Sequence, residues 1–442
     1  MVTKLLVQNI VRTKTSDIPE NVKLHGKRSL LNWMGAAIGA STHPSVDMVL
    51  ALKEDINSAD QVSIFGRTEK VDLLLGSLIN GMSSHIFDYD DTHLDTIHHP
   101  SGPVAPVVLA LAEKMNFPGE KALHAFILGC EAELRIANAV YPSHYQLGYH
   151  ITSSTGVFGA AVAAGLLLDL TEEQMAWALG IAGTQSFGLR EMFGTMTKPF
   201  HPGKAAQNGL MAALLAKKNF TSSTEVLEAK RGFVNVLAPE HDLSKVNVQW
   251  GEKWELLKNA FKPYACGIVL HPSIDACIAL GQQVKADEVE RIELAVNPYV
   301  LELTGKTTPP TGLAGKFSIY HTAAIAFLEG DAGESQYADS KVNDPKVIEF
   351  RAKISTKVDK NIKEEDVMAT AYLKDGNKIE YAVKNATGSI KNPMSDQDLA
   401  RKFTKLTHSI IGGQHANQLI DIMYKIDQLD NLKALIKLTK SQ

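Results

Sequence analysis

Cysteine is scarce in this chain, whose 442 residues include only Cys130, Cys266 and Cys277. Three thiols at these spacings form neither a disulfide framework nor paired metal ligands, and they are typical of a protein in a reducing compartment. The first residues, MVTKLLVQNIVRTK, also lack the apolar core and the small-residue cleavage site of a signal peptide. Both observations lead us to expect a cytoplasmic protein.

Strong charge of one sign and long apolar runs are also missing. The net charge is −4 without a basic block, which argues against binding to nucleic acid or to an anionic membrane surface. The longest apolar run, residues 157–168, is too short and too rich in glycine and alanine to span a bilayer. Hydrophobic residues make up 45% of the chain, as expected for a globular protein that is large enough for two domains.

The sequence does contain a concentration of ionisable side chains in the segment HIFDYDDTHLDTIHHPSGPV, residues 85–104. This segment has four histidines, whereas the whole chain has 15. Imidazoles beside carboxylates can hold or transfer a proton near neutral pH. Apolar helical segments flank the stretch on both sides, so we expect it to be buried rather than solvated. Its ionisable residues are His85, Asp88, Asp90, Asp91, His93, Asp95, His98 and His99.

Three other chemistries use similar residues. The letters DYDDT resemble the aspartyl nucleophile motif of haloacid dehalogenase phosphatases, but that motif follows a buried strand, and residues 71–87 have helical periodicity. The class II terpene cyclases, whose DxDD donates a proton, are much longer and rich in aromatic residues, which form 7% of this chain. Histidine and carboxylate also suit several metals. Since no HxxxH pair or cysteine pair supports a metal site, we expect none.

Apolar periodicity predicts a change of structure along the chain. The first 260 residues have a helical pattern, including a stripe over residues 119–141 and a capping box from Thr171 to Gln174. Alternation at residues 289–296 predicts a strand, and residues 350–358 are a second candidate. The pair 367–373 and 378–383, joined by Asp375-Gly376, predicts a hairpin.

Helix returns at Ser395, where the spacing of polar residues is typical of a helix start. We therefore predict a mainly α protein with a large all-helical domain and a smaller α+β lid domain. The helical domain is formed by residues 1–258 and 389–442, and the lid domain by residues 259–388.

A second polar segment, MTKPFHPGKAAQNG, spans residues 196–209. Its prolines and glycine predict a turn before a helix that starts near Gly203, with Lys198, His201 and Lys204 around the helix N-terminus. Free N–H groups and the helix dipole favour an anion there. A carboxylate-binding site and a solvated helix start with surface lysines both remain open on this spacing.

Several other polar residues are ambiguous on their own. Lys262 in FKPYAC stands beside a rigid turn at the predicted domain junction, where substrate clefts are common. His150 precedes a Ser/Thr cluster that opens a helix of small residues, and His271 stands near a helix start. Nothing local lowers the pKa of the Cys266 thiol, so we expect it to be inert.

Taken together, these segments resemble the MmgE/PrpD family. DYDDTH with HHPSG, GYH, GTMTKPFHPGKAAQNG, FKPYAC with HPSIDA, and AGKFSIYHTA occur in the family's order and cover nearly the whole chain. The family includes 2-methylcitrate dehydratase, cis-aconitate decarboxylase and iminodisuccinate epimerase, and the chain is most like a bacterial cis-aconitate decarboxylase-type member. The resemblance implies a large helical domain, a smaller α+β lid and a homodimer.

The resemblance also implies which residues surround the substrate, and His201 is added from the spacing around the predicted helix start. His99, directly before Pro-Ser-Gly, matches the family histidine, whereas His98 belongs to a loop that is one residue longer than the decarboxylase pattern. Five residues beyond the Lys262 position the decarboxylases have a histidine, where this chain has Gly267. The expected catalytic residues are His99, Asp88, His150 and Tyr320, and the expected substrate-binding residues are Thr92, Lys198, Lys262 and His201.

The family's reactions share a carbanion-like species next to a carboxylate, which preorganised lysines can stabilise. A histidine then gives or takes the proton, and the resemblance implies no metal or organic cofactor. We predict a lyase acting on a small di- or tricarboxylate, first of all a decarboxylase of cis-aconitate that forms itaconate. Gly267 counts against that substrate. A 2-methylcitrate dehydratase, an epimerase of an imino- or hydroxy-dicarboxylate and a non-catalytic carboxylate-binding protein remain open.

Overall fold

The computed structural model describes residues 1–441, and most of its regular structure is helical. The α-helices are α1 (Val2–Arg12), α2 (Glu20–Gly39), α3 (Pro44–Leu50), α4 (Leu52–Asp55), α5 (Leu73–Ile86), α6 (Ser101–Met115), α7 (Gly119–Val140), α8 (Ser143–Gln146), α9 (Ile151–Ser154), α10 (Gly156–Leu167), α11 (Glu172–Gly183), α12 (Thr197–Lys217), α13 (Phe233–Leu237), α14 (His271–Gly281), α15 (Pro298–Thr304), α16 (Gly312–Gly315), α17 (Ile319–Glu329), α18 (Asp339–Val342), α19 (Pro345–Arg351), α20 (Asp396–Met423) and α21 (Lys433–Leu438). Short 3-10 helices lie at Thr15–Asp17, Arg190–Met192, Leu243–Val246, Glu255–Lys258, Ile268–Leu270, Glu334–Tyr337 and Ile426–Gln428.

The strands form one four-stranded sheet and two short pairs. They are β1 (Val62–Ser63), β2 (Lys70–Val71), β3 (Thr92–His93), β4 (Asn259–Ala260), β5 (Val289–Val296), β6 (Ile354–Val358), β7 (Val367–Leu373) and β8 (Lys378–Val383). The sheet has the order β6-β5-β7-β8, in which β5 is parallel to β6 and antiparallel to β7. The pairs β1–β2 and β3–β4 are antiparallel.

Contacts divide the chain into two compact units. The first consists of Met1–Ile86, Asp90–Ala260 and the chain from Asp396 onward, and it is built almost entirely from helices. The second consists of Phe87–Tyr89 and Phe261–Ser395, and it contains the four-stranded sheet with helices α14 to α19. The mainly α class with a smaller α+β part is therefore confirmed.

Most of the predicted elements are present. Strand β5 matches the predicted range, and its Ile292, Leu294 and Val296 are buried in alternation with less buried residues. The hairpin of β7 and β8 has the predicted strand ranges and turns at Asp375-Gly376. The capping box at Thr171 is also confirmed, since its hydroxyl accepts from the backbone N–H of Gln174.

Two predicted boundaries are wrong. The strand predicted at 350–358 begins only at Ile354, because helix α19 occupies Pro345–Arg351. The start of helix α19 is capped by Asp344, whose carboxylate accepts from the backbone N–H of Lys346 at 2.9 Å. The helix predicted to start near Gly203 begins at Thr197 instead, because Pro199 fits the first turn of a helix, where its missing N–H costs nothing.

A close approach of two helices places polar residues of the first unit near one another. Gly81 on α5 and Gly203 on α12 face each other so tightly that a Cβ on Gly81 would lie 2.8 Å from the Cα of Gly203. Only glycine permits two backbones to come this close. The last turn of α5, which carries His85, is thereby held beside the first turns of α12, which carry Lys198 and His201.

None of the helices formed by residues 1–441 combines the length and the apolar character that crossing a bilayer requires.

Candidate active site

Apart from the exposed Asp95, the ionisable residues of the segment 85–104 are all buried, so the interpretation of this segment as a solvated loop is wrong. His85, on the last turn of α5, is 1% exposed, and its Nδ1 lies 2.6 Å from the Asp90 carboxylate, which has no exposure. A carboxylate at this distance orients the ring and fixes which nitrogen carries the proton. The His85 ring also meets the His99 ring edge to face, with centroids 4.9 Å apart.

His99 is held by both its ring and its backbone. Its Nδ1 donates to the backbone carbonyl of Asp91 at 2.7 Å, and the Thr92 hydroxyl lies 3.2 Å from the same nitrogen. The backbone N–H of His99 donates to the hydroxyl of Thr152 on α9 at 3.2 Å. A carbonyl can only accept, so Nδ1 carries the proton and Nε2 of the neutral ring has the lone pair.

Asp91 anchors this loop from a fully buried position. Its carboxylate accepts from the hydroxyl of Ser101 and from the side-chain amide of Asn259, the latter at 2.5 Å. Burial raises the pKa of this carboxyl to about 7, although these two hydrogen bonds act in the opposite direction. Asn259 reaches Asp91 because β4 pairs with β3, the strand that contains Thr92.

His150 and His201 form a second pair of rings in the same unit. Their Nδ1 atoms lie 3.0 Å apart, and the His150 ring stacks on His85 with centroids 5.6 Å apart. Burial, the neighbouring histidines and the charge of Lys198 lower the pKa of His150 well below its ordinary value. Burial, with smaller effects from His85 and Lys198, lowers the pKa of His201 to about 4. We refer to His85, His99, His150 and His201 as the imidazole cluster.

Lys198 supplies a buried positive charge next to this cluster. It belongs to the first turn of α12, is 6% exposed, and its Nζ lies 5.4 Å from the centre of the Phe193 ring. Phe193 also packs edge to face on His150, with centroids 5.1 Å apart. Lys204 has a different environment: its Nζ donates to the amide oxygen of Gln207 at 2.5 Å, and the residue is half-buried.

His98, the neighbour of His99, has a separate buried environment. Its ring is fully buried, and neither nitrogen has a hydrogen-bond partner within residues 1–441. Burial, followed by the charges of His99 and His93, lowers the pKa of His98 well below its usual value. The structure therefore describes His98 as a neutral core residue.

The second unit contains Asp88, Lys262 and Tyr320. The Lys262 ammonium donates to the Asp88 carboxylate at 2.9 Å and to the Asp88 backbone carbonyl at 3.1 Å, and both residues are buried. Tyr320, on α17, instead shares a hydrogen bond of 3.1 Å with the hydroxyl of Thr356 on β6. Gly267 has ordinary φ, and a Cβ there would meet its nearest atom, in Thr304, at 3.8 Å, so a side chain fits.

Within the first unit, two groups of residues have donor atoms within 4.8 Å of one another, as a metal site requires. The first, His85, His99 and His150, offers three imidazoles, a donor set that suits zinc or other first-row metals. In the second, His93, Asp95 and Glu255, the two carboxylates already bind the Lys258 ammonium at 2.6 and 2.8 Å. The absence of a metal stays a prediction from the sequence.

His85, Asp90 and Asp91 contact His99, and Asn259 in turn contacts Asp91. The sequence alone indicates no role for these four residues. The first three belong to the ionisable segment, so its density of histidine and aspartate is the signal that points to them. Asn259 is 168 positions from Asp91 along the chain. Nothing in the sequence indicates that β3 and β4 pair, so this contact has no local signal.

Comparison with known proteins agrees with this architecture. The MmgE/PrpD N-terminal domain matches residues 4–245, and the MmgE/PrpD C-terminal domain matches residues 264–428. The chain is similar to the cis-aconitate decarboxylase of Homo sapiens, with 26% identity over 463 residues that cover 99% of this chain and 94% of the relative. A cis-aconitate decarboxylase of Aspergillus terreus is 24% identical over 455 residues, 96% of this chain and 93% of the relative.

A more distant similarity is to the mitochondrial 2-methylcitrate dehydratase of Yarrowia lipolytica. It is 24% identical over 269 residues, which cover 58% of this chain and 51% of the relative. The two family domains together match most of the sequence. The chain therefore belongs to the MmgE/PrpD family.

Proposed function

We propose that this protein is a lyase that decarboxylates cis-aconitate to itaconate without a metal or organic cofactor. The observation that carries the proposal is the buried imidazole cluster, in which the His99 ring is fixed by the Asp91 carbonyl at 2.7 Å and a buried cation, Lys198, lies close by. Relatives that match nearly the full chain are named cis-aconitate decarboxylases, which supports the choice of substrate.

The reaction needs one bond to break and one proton to be delivered. The bond between the substrate methylene and its carboxylate breaks, CO2 leaves, and the electron pair stays on the substrate as an allylic carbanion. That charge spreads to the far end of the double bond, where a proton closes the reaction and forms itaconate. Protonated at Nε2, His99 donates this proton, and it regains one from solvent.

The buried lysine has a matching role. Lys198 binds a substrate carboxylate and stabilises the negative charge that builds up as CO2 leaves, an effect that is strong in a site from which water is excluded. In the His150–His201 pair the Nδ1–H of one ring donates to Nδ1 of the other, so the rings orient each other. The donor ring then has the lone pair of its Nε2 available for the substrate. Thr92 helps to hold the His99 ring.

We further propose, from the family resemblance, that Asp88, Lys262 and Tyr320 of the second unit are needed for turnover and that the protein works as a homodimer. Sedimentation at micromolar concentration tests the dimer. A monomer in that experiment contradicts it. Single substitutions of the three residues, measured by kcat and KM, test each role separately.

A second candidate is dehydration of 2-methylcitrate, favoured by the similarity to the dehydratase of Yarrowia lipolytica. The deciding experiment incubates the protein with cis-aconitate, 2-methylcitrate and iminodisuccinate in D2O and follows each by NMR. We expect itaconate that carries one deuteron from solvent. Loss of water from 2-methylcitrate, or deuterium exchange on iminodisuccinate alone, would identify a dehydratase or an epimerase. Binding without any exchange would indicate a non-catalytic carboxylate-binding protein.

A further inference from the structure

Lys316 of the second unit is a buried lysine that the proposed reaction does not use. It follows α16, is 1% exposed, and its ammonium donates to the Phe87 carbonyl at 2.6 Å, the Ala265 carbonyl at 2.9 Å and the Glu334 carboxylate at 2.5 Å. An ammonium has three N–H groups, so these contacts use all of them. A single side chain thereby joins three segments that are distant in sequence.

One of these segments is Phe87–Tyr89, in which every residue has a hydrogen bond to another part of the second unit. Lys316 binds the Phe87 carbonyl, Lys262 binds both the carbonyl and the carboxylate of Asp88, and the Tyr89 hydroxyl donates to the Pro263 carbonyl at 2.5 Å. Two of the anchors, Lys262 and Pro263, are close in sequence to Ala265. Lys316 therefore fastens the segment to the same stretch of chain that carries its other partners.

The backbone of this segment needs such support. Asp88 has a φ of 51°, in the left-handed region that aspartate adopts less readily than glycine. A non-glycine residue in this region is strained and persists only where its surroundings hold it. Because the conformation of Asp88 fixes the direction of its side chain, the contacts that hold the backbone also hold the carboxylate.

We propose that Lys316 is a positioning residue, which acts on the reaction by holding the Phe87–Tyr89 segment so that the Asp88 carboxylate keeps one orientation. This inference rests on the part of the proposed function that gives Asp88 a role in turnover. Burial of an ammonium is costly, and Lys316 offsets the cost with one carboxylate and two carbonyls. A residue that only filled space would not require a charge at this place.

The test compares Lys316→Met with a matched control, Lys353→Met. Lys353 also belongs to the second unit and also binds two backbone carbonyls, those of Ala286 at 3.3 Å and Val289 at 2.9 Å, but it does not hold the Asp88 segment. We expect Lys316→Met to lower kcat by up to about 10²-fold, the effect of misplacing a reacting group by about 1 Å, with a smaller change in KM. Lys353→Met is expected to keep the wild-type kcat.

A double-mutant cycle with Asp88→Asn separates positioning from a general loss of structure. If Lys316 acts through Asp88, adding Lys316→Met to Asp88→Asn lowers kcat little further, because the two effects are coupled. Multiplicative losses, or an unchanged kcat in Lys316→Met, would overturn the inference. If Asp88→Asn alone keeps full activity, the proposed role of Asp88 is wrong, whatever Lys316 does.

Hydrogen–deuterium exchange gives a readout that is independent of activity. We expect faster exchange of the amides of residues 87–89 in Lys316→Met than in Lys353→Met, since the segment loses an anchor. Should Lys316→Met fail to fold, Glu334→Gln takes its place, because it leaves the lysine and removes only the charged acceptor. For Glu334→Gln too, an unchanged kcat would overturn the inference. So would a loss of kcat that multiplies with the loss caused by Asp88→Asn.

Discussion

The Nδ1 atom of His99 donates to the backbone carbonyl of Asp91, the residue that directly follows Asp90, whose carboxylate contacts the His85 ring. This bond determines that the neutral His99 ring has its lone pair on Nε2. Asp91 is itself fixed by Ser101 and Asn259. The ring that we propose as the proton carrier is therefore oriented chiefly by a backbone carbonyl.

The first prediction concerns the two adjacent histidines. We expect His99→Ala to lower kcat roughly 10²–10⁴-fold, the usual range for loss of a general acid or base. His98→Ala is expected to be milder in kcat, because His98 is a neutral core residue, and to lower the melting temperature because it leaves a cavity. Turnover and deuterium exchange by NMR in D2O measure both. Loss of exchange in His98→Ala with exchange retained in His99→Ala would show that the loop register is wrong by one residue.

The second prediction concerns the lysines. Lys198→Ala and Lys262→Ala should weaken substrate binding and slow turnover, each by about 1.5–3 kcal/mol in kcat/KM, since each removes a charge-assisted contact to a carboxylate. Lys262→Ala should also lower the melting temperature, because it leaves the buried Asp88 carboxylate without its lysine. Lys204→Ala, whose lysine binds Gln207, is the control. Wild-type kcat/KM in both variants would contradict the carboxylate-binding role.

Much of the fold could be predicted from short-range patterns. The alternation in Val289–Val296 is enough for a strand because one face is buried and the other is not. The strand predicted at 350–358 overlaps helix α19, whose start is signalled by Asp344-Pro345, a capping residue followed by proline. Pro199 and Pro202 predict a turn, but Pro199 is compatible with the first turn of α12.

The site could be predicted only where its residues are close in sequence. The density of histidine and aspartate in residues 85–99 indicates a site in the sequence, and the apolar helices on either side predict that these residues are buried. The contacts of His150 with His201 and of Asp91 with Asn259 join residues 51 and 168 positions apart. These depend on the packing of α12 and on the pairing of β3 with β4, which no local pattern encodes.

The third prediction concerns Gly267, the position where the resemblance expects a histidine. Its φ of −56° is ordinary and a Cβ has room, so Gly267→His should fold like the wild type. We expect this variant to turn over cis-aconitate faster, because it supplies the histidine that the resemblance implies for a decarboxylase at this position. Gly267→Leu is a control for bulk without a polar ring. Equal rates for the wild type and the histidine variant would show that this position does not limit decarboxylation.

The fourth prediction concerns metal. Activity should survive dialysis against EDTA, because the proposed reaction uses the imidazoles to carry protons, and a bound metal would occupy the same nitrogens. The experiment can contradict the proposal, because the donor atoms of His85, His99 and His150 lie within 4.8 Å of one another and could hold a metal. Metal content and turnover are measured before and after dialysis. Loss of activity that one divalent metal restores would contradict the metal-free proposal.

The last prediction concerns Glu133, a carboxylic acid in the middle of α7. The residue has no exposure, both carboxyl oxygens lack a hydrogen-bond partner in the described chain, and a Cβ on Gly159 would lie 2.1 Å from one of them. Burial, followed by the charge of Asp91, raises the pKa of Glu133 well above its ordinary value. The native protein therefore keeps a proton that the unfolded chain releases above about pH 4.3.

The raised pKa of Glu133 makes the stability of the protein depend on pH. A raised pKa in the folded state means that the unfolded state binds fewer protons, so the free energy of unfolding falls as the pH rises from the unfolded pKa to the folded one. Glu133→Gln has nearly the same shape and no charge to bury. We expect Glu133→Gln to raise the melting temperature at pH 8 and to change the melting temperature little at pH 4. The melting temperature of the variant should therefore fall less between pH 4 and pH 8 than that of the wild type. Some fall should remain, because the pKa of Asp91 is also raised, to about 7. A melting temperature that falls more at pH 8 than at pH 4 would show that Glu133 is ionised and paired in the native state.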